Sequence, residues 1–529
     1  MQRPERDKPE TNAEGGAGSE SNSPATLYDF MVVSNRLPVD RCAPGEQGDD
    51  GSGWRRSPGG LVTALAPMMT KTDGAWVGWH GAPDETVKPF SHGSMDLVPV
   101  QLSTDDVELY YEGFSNATLW PLYHDVIAPP EFHRTWWDSY RKVNRRFADA
   151  VVRHADHGAT VWVQDYQLQL VPRMLREARP DLRIGFFNHI PFPPPEIFAQ
   201  LPWRQAIIDG LLGADLVGFQ RSSDAGNFMR SARRFLGASV KQQQVHVRGQ
   251  NGDMTHIARA QSFPISIDVR QITELANNPD IIERSRQIRQ DLGNPKTILL
   301  GVDRLDYTKG IRHRLKAFEE LLNEGKLTVG DATLIQVASP SRERVEQYRL
   351  LREEVEGTVG HINGTYDTLE NTAVRYLHHS YPIEEMVALY LAADVMMATP
   401  LRQAAHLEAL EFVTANPDRG LLVLSEFTGT ATTLPEAVIV NPNDEDDIRQ
   451  AFSTALSMGR KERYARMRAM HDRVIGSDHQ TWLNAFLNDL RAGSRTNVAL
   501  RDHQRRRIHL TRHYGRRDPA RYRYGEDLR

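Results

Sequence analysis

Thr297-Ile298-Leu299-Leu300-Gly301-Val302-Asp303-Arg304-Leu305-Asp306-Tyr307-Thr308-Lys309-Gly310 sets two cations, Arg304 and Lys309, just beyond an apolar run. The run predicts a buried strand over Thr297–Val302 that delivers both cations into a loop closed by glycine. Paired cations suit a diphosphate there, because open α/β sheets bind ligands in the crevice outside the carboxyl ends of their strands. Taken alone, an Arg and a Lys five residues apart are more often solvated surface, so the weight falls on the other strand ends. Ser339-Pro340-Ser341-Arg342 closes another strand pattern with a third cation, suited to bidentate phosphate binding or to a surface salt bridge. Val163-Gln164-Asp165 puts a carboxylate past a strand, and Phe187-Asn188-His189 does the same for an imidazole, with Pro191 and Pro193 stiffening the loop after His189. Asn35-Arg36 comes directly after the first strand, and Ser57-Pro58-Gly59-Gly60-Leu61 opens what reads as the next helix. Gly59 and Gly60 let backbone approach an anion at a helix N-terminus, so with Arg36 they make a candidate phosphate corner.

Two further segments carry possible contacts. Tyr111-Glu112-Gly113-Phe114-Ser115-Asn116-Ala117-Thr118-Leu119-Trp120 is aromatic-rich. Most of it reads as core, while Tyr111 and Trp120 suit the C–H face of a sugar. Thr399-Pro400-Leu401-Arg402 leads into a helical stretch from Leu407 that carries Glu411. A helix start there suits a diphosphate, and a carboxylate one turn inside suits a pair of ribose hydroxyls or a solvated face.

These groups need a scaffold, and the hydropathy pattern supplies one. Short apolar runs at Phe30–Ser34, Ala75–Trp79, Thr160–Val163, Arg183–Phe187 and Leu216–Phe219 alternate with helical periodicity. The same holds for Thr297–Val302, Thr333–Ala338, Val395–Thr399 and Leu421–Leu424, with helices predicted at Leu168–Arg179, Trp203–Leu212, Asp280–Leu292 and Ile311–Glu324. Continuous apolar strands alternating with helices indicate parallel sheets covered on both faces. The expected class is α/β: two doubly wound, Rossmann-like domains facing across a cleft. The expected boundaries are a disordered leader over 1–27, an N-terminal domain over 28–272 and a C-terminal domain over 273–475. A helix over 476–494 is expected to pack back on the N-terminal domain, with a basic tail after it over 495–529. That tail carries 11 Arg against 4 acidic residues, which fits an anionic partner or a solvated extension.

Bulk composition narrows the class. The 529 residues are 40% hydrophobic and 25% charged with a net charge of −5, an ordinary balance that argues against nucleic acid as a whole-protein partner. Cys42 is the only cysteine, which excludes an intramolecular disulfide and fits a reducing compartment. The polar start lacks the apolar core of a secretory signal, and no apolar run approaches the ~20 residues that span a bilayer. A cytoplasmic protein without a membrane partner is expected.

In chain order, Val33-Ser34-Asn35-Arg36-Leu37-Pro38-Val39, Ser57–Leu61, Tyr110–Pro121, Val163–Leu168, His189–Pro193, Gly301–Gly310 and Pro340–Arg342 resemble the trehalose-6-phosphate synthases. These form the retaining glycosyltransferase family 20, of GT-B fold, and the likeness is greatest to its actinobacterial branch. The resemblance runs from about residue 29 to 490. It implies transfer of glucose from a nucleotide-glucose (UDP-, ADP- or GDP-glucose) to glucose 6-phosphate, with retention and without metal or other cofactor, in a possible homo-oligomer. It implies that Arg36 and Arg342 bind the acceptor phosphate, with Tyr111 and Trp120 lining that pocket and Asp165 near the acceptor hydroxyl. Arg304 and Lys309 would neutralise the leaving diphosphate, His189 would contact the donor glucose and Glu411 would hold the ribose. Gly59, Gly60, Gln403, His406 and Leu407 would complete the donor side.

The chain departs from the family pattern on that side. Where Asp-Gly-Met-Asn is expected, Gln403-Ala404-Ala405-His406 stands, and Glu408, Leu410, Thr433 and Gln220 replace an apolar residue, Lys, Glu and His. Gln403 keeps hydrogen-bonding capacity without charge, Ala404 disfavours positive φ, and a Glu408 carboxylate near a diphosphate would repel it. These departures leave two alternatives: a non-catalytic paralogue that binds sugar phosphate as a regulatory or interaction partner, or a synthase with a changed donor.

Overall fold

The structure, a computed structural model, describes residues 26–42, 48, 53–57, 62, 65, 69, 74–248, 254–494 and 497. Its framework is two sheets. In the first, Tyr28–Arg36 lies between Gly74–Trp79 and Ala155–Gln164, both parallel to it. Arg183–Asn188, Leu216–Phe219 and Met254–Ser262 continue outward on the second side, and Met95–Pro99 on the first, all parallel. Short antiparallel strands cover both edges of this ten-stranded sheet.

In the second sheet Thr297–Arg304 lies between Ala332–Ser339 and Val395–Ala398; Val374–Leu377 extends one side, Leu422–Ser425 and Val438–Val440 the other. The six strands are parallel and run in spatial order 3-2-1-4-5-6, the doubly wound arrangement. Each expected strand is present, shifted by no more than a few residues at its ends. Thr160–Val163 grows into Ala155–Gln164, while the helix expected over Leu168–Arg179 is shorter, Val171–Ala178, because Tyr166–Leu168 forms a separate 3₁₀ turn.

Register explains why the chemistry collects on one edge. Val33 pairs with Val163, Gln164 with Phe187 and Arg304 with Ser339. Arg36, Asp165, His189, Arg304 and Arg342 therefore all leave their strands at carboxyl ends. Both sheets reverse strand order beside their first strand, so a crevice opens between Tyr28–Arg36 and Ala155–Gln164 and another between Thr297–Arg304 and Val395–Ala398. These are the ligand positions of doubly wound sheets.

The helix over 479–494 lies against the first sheet, far from it in sequence. Its Trp482, Leu483, Phe486, Leu487 and Leu490 are buried with Trp162, Phe187 and Leu216 in one core. Phe486 stacks on Trp162 at 4.5 Å between ring centroids, and Trp482 Nε1 donates to the Phe263 carbonyl. Among the described residues no helix is long and apolar enough to cross a membrane. Residues 1–25 of the leader expected over 1–27, Gly59, Gly60 and the tail over 495–529, apart from Asn497, lie outside the described residues.

Candidate active site

A cavity of about 230 Å³ opens where the carboxyl edges of the two sheets meet. That is far more than a few ordered waters need. Tyr111, Trp120, Asp165 and His189 line it from the first sheet's side, and Arg304, Lys309, Arg342 and Gln403 from the second.

The cations fall into two groups. The Arg342 side chain is only 5% exposed, and its Nη1 donates to Asp306 Oδ2 at 2.9 Å and to the Tyr348 hydroxyl, while Nη2 donates to the Tyr166 hydroxyl. Its guanidinium lies 3.7 Å from the Trp120 ring centroid. Burial would raise the Asp306 carboxyl, but Arg342, Arg304 and Lys309 hold it down at about 2. Arg314, fully buried, is neutralised likewise: it bonds Asp303 Oδ2, Gln336 Oε1, Thr399 Oγ1 and the Met397 carbonyl. Arg314 therefore ties together both strands beside the crevice.

Arg304 and Lys309, in contrast, make no ion pair among the described residues. Arg304 is exposed, 5.4 Å from the Trp120 ring centroid. Lys309 is buried, and burial together with repulsion from Arg304 lowers its pKa. An incoming anion relieves both penalties. The loop that carries them is fixed by fit. Gly310 has φ 68°, and a β-carbon there would stand 2.1 Å from the Thr399 carbonyl oxygen. Leu401 N–H donates to the Thr308 carbonyl, so the two crevice loops lie directly on each other.

Opposite them, Asp165 adopts φ 71°, ψ 171°, a region almost reserved for glycine that costs on the order of 1–3 kcal/mol. The conformation turns its carboxylate to accept the His189 N–H at 3.1 Å. Burial raises its pKa to about 6, against the pull of the His189 and Tyr166 N–H groups and of Arg304 and Arg342. His189 packs at 4.7 Å on the Phe187 ring, its Nε2 2.9 Å from Gln164 Oε1. Burial lowers its pKa to about 3, so the ring is neutral at physiological pH.

Several expected positions differ in detail. Tyr111 and Trp120 belong to a continuous helical segment, Val107–Leu119 running into Trp120–Tyr123, with a widened π-type first part. Trp120 is only 4% exposed, between the Arg342 guanidinium and a His124 ring 4.2 Å away, so it offers little open face to a sugar. Arg36 sits at the correct strand end but does not line the cavity. It pairs with Asp40 at 2.9 Å and lies 5.1 Å from the Trp79 ring centroid.

The loop at 403–406 is held through its backbone. Gln403 N–H donates to the Phe427 carbonyl, Gly429 N–H to that of Ala404, and Gln403 Nε2 to that of Ala405. Ala404 is buried and avoids positive φ. The helix Leu407–Ala415 then begins with His406 as its N-cap, and Leu407 packs partly buried beneath. Glu411 accepts from the Tyr390 hydroxyl at 2.7 Å; burial and the charge of Glu408 push its pKa up to about 7. Glu408 keeps 39% exposure, and His406 chiefly holds its carboxyl down at about 2 against burial. Gln220, Leu410 and Thr433, three of the departures, line one further cavity of about 130 Å³ behind this loop, together with Ala404 and Ala405.

Three residues were missed from sequence: Arg314, His124 and Arg402. His124 lines the main cavity with Nδ1 bonded to the Trp120 carbonyl. Arg402 reaches Asp125 at 3.1 Å and buried Asp224 at 3.7 Å, linking the loop before Gln403 to the first sheet's unit. Only the position of Arg402 just past a strand pattern hinted at a role; a single Arg or His in a helix carries no signal of what it will face.

Two doubly wound units facing across a crevice, with Arg304 and Lys309 free of ion pairs among the described residues, are the GT-B arrangement of the solved glycosyltransferases that the chain resembles. The pattern of conserved positions described as glycosyltransferase family 20 matches residues 28–492, and the chain belongs to that family. It is 53% identical over 485 residues to the trehalose-6-phosphate synthase of Mycobacterium avium (strain 104), covering 90% of this chain and 98% of that relative. Among solved structures it resembles an α,α-trehalose-phosphate synthase (UDP-forming) of Burkholderia xenovorans in complex with glucose-6-phosphate. The TM-score is 0.78 at 32% identity, over 87% of this chain and 100% of that one. The E. coli relative bound with UDP-2-fluoro glucose gives 0.77 at 32% identity, over 87% and 98%.

Proposed function

We propose that the chain is a retaining glucosyltransferase that makes trehalose 6-phosphate from a nucleotide-glucose and glucose 6-phosphate. The observation that carries this reading is the pair Arg304 and Lys309: cations without carboxylate partners among the described residues, set in a crevice whose other cations are already neutralised. In this reading they receive the donor diphosphate. As the bond from glucose C1 to the diphosphate oxygen breaks, that oxygen gains charge, and fixed cations stabilise the transition state more than the ground state. The acceptor hydroxyl attacks C1 from the same face and passes its proton to the departing phosphate oxygen, so no carboxylate nucleophile is needed.

Arg342 receives the acceptor phosphate, joined by Arg36 once it leaves Asp40, with Tyr111 and Trp120 bordering the pocket. Asp165 holds the acceptor near its reacting hydroxyl, and neutral His189 bonds the donor glucose. Gln403, His406 and Leu407, with Gly59 and Gly60, border the donor, and Glu411 takes the ribose. Most acceptor contacts thus come from the N-terminal unit and most donor contacts from the C-terminal one, with Arg342 and His189 each reaching across. The chemistry is placed in the cytoplasm, in keeping with the single cysteine, Cys42.

The test is incubation with glucose 6-phosphate and UDP-, ADP- or GDP-glucose in turn, with assay of the disaccharide phosphate. Formation with at least one donor is expected. Calorimetric binding of glucose 6-phosphate without binding of any donor would instead support a non-catalytic sugar-phosphate binder.

A further inference from the structure

The N-cap of the helix Leu407–Ala415 makes two contacts that require opposite states of one atom. Ala409 N–H donates to His406 Nδ1 at 3.3 Å, which needs a lone pair on that nitrogen. Glu408 Oε2 stands 3.2 Å from the same Nδ1, which is favourable only if the nitrogen carries a proton. The far side of the ring is also unresolved. His406 Nε2 and Asp303 Oδ1 face each other at 3.8 Å, both buried and both without a hydrogen-bond partner among the described residues. A proton on His406 resolves every conflict: Nε2–H turns to Asp303, Nδ1–H to Glu408, and the Ala409 N–H is released.

We propose that His406 is a positioning residue that takes up a proton when the nucleotide-glucose binds, opening the helix N-terminus to the donor diphosphate and drawing Glu408 away from Lys309. This rests on the donor reading of the crevice given above. The charged groups that face the ring are Asp303 from the strand and Glu408 and Glu411 from its own helix, with Lys309 from the 3₁₀ turn and Arg314 from the helix behind acting on Asp303. Asp303 is already neutralised by Arg314, which leaves Glu408 as the carboxylate whose partner changes. In the neutral state the imidazole caps the helix and offers Glu408 no proton, so the carboxylate's charge acts on Lys309. In the protonated state the freed N–H and Lys309 both point to an anion. Burial alone would lower the His406 pKa, but Asp303 and Glu408 raise it above its usual value. Imidazolium therefore persists below that raised pKa, and donor affinity falls as pH rises through it.

The experiment is titration calorimetry of the full chain with UDP-, ADP- or GDP-glucose, whose diphosphate does not itself titrate here, between pH 6 and 9 in buffers of different ionisation enthalpy. The wild type is expected to take up to one proton per donor at the alkaline end, with Kd rising up to roughly tenfold per pH unit there. His406→Asn retains an N-cap side chain and is expected to bind donor without proton uptake and with a flat pH profile. Glu411→Gln controls for the nearby carboxyl and is expected to keep the uptake. Donor binding without proton uptake in the wild type, or the same uptake in His406→Asn, would overturn the proposal. Absence of binding by all three donors would instead count against the donor reading itself.

Discussion

Two stretches of the cavity's lining, both carried by the second sheet, are built differently. In one, Arg342 is braced by Asp306, Tyr348, Tyr166 and Trp120, and Arg314 locks the crevice strands behind it. In the other, Gln403–His406 hangs on backbone bonds, has small side chains at Ala404 and Ala405, and backs onto a second cavity. A charged side chain held by several buried partners has one position. A loop held by its backbone beside empty space has several of similar energy. The first stretch is fixed by side-chain bonds, and the second only by its backbone.

Breaking the braced stretch is expected to have the largest effect. Arg342→Ala leaves Asp306 buried without its cation, so stability measured by urea unfolding should fall by about 3–5 kcal/mol. KM for glucose 6-phosphate should rise with it. Next comes Lys309→Ala, expected to lower kcat by roughly 10²–10³-fold, as for loss of one preorganised group aimed at developing negative charge. A change of only a fewfold in product assays would move the diphosphate away from this loop.

The loop should respond more gently and in the opposite direction. Gln403→Asp combined with Ala404→Gly is expected to tighten donor binding roughly fivefold, the margin of a charge-assisted over a neutral hydrogen bond. Unchanged affinity by calorimetry would show that the substituted loop is not what limits the donor. The smallest effect concerns Asp165, whose pKa in the fold, about 6, lies above its ordinary value of 3.8. Stability is therefore lost progressively as pH rises from that ordinary value to about 6, fully above it, and not at all below the ordinary value. Asp165→Asn should raise the melting temperature by a few degrees at pH 8, leave it unchanged at pH 3.5, and lower activity at pH 8, where the native side chain is ionised.

Much of this was legible in the sequence because parallel strands announce themselves as continuous apolar runs and their ends must share an edge. That reasoning brought Arg304, Lys309, Asp165, His189 and Arg342 to one cavity. It did not reveal that Arg342 stacks on Trp120, since contact between residues more than two hundred positions apart depends on how the units dock. The same limit hid Arg402, whose partners Asp125 and Asp224 belong to the other unit. Arg36 was placed at the correct strand end, yet nothing local to Asn35-Arg36 forecasts its pairing with Asp40. Arg314 was invisible for another reason: a helical Arg usually points to solvent, and only the crossing of strands over it makes a fully buried guanidinium stable.

The helix over 479–494 has a consequence for how the molecule is made. Its Phe486 and Trp482 complete the core beneath Trp162 and Phe187, so the first sheet emerges from the ribosome with an open apolar face. At about 5–20 residues per second, the rest of the chain keeps that face waiting for roughly 10–40 s before its cover is synthesised. The first unit to be translated is thus the last to be sealed, and during that interval it is the part of the nascent chain that chaperones have most reason to hold.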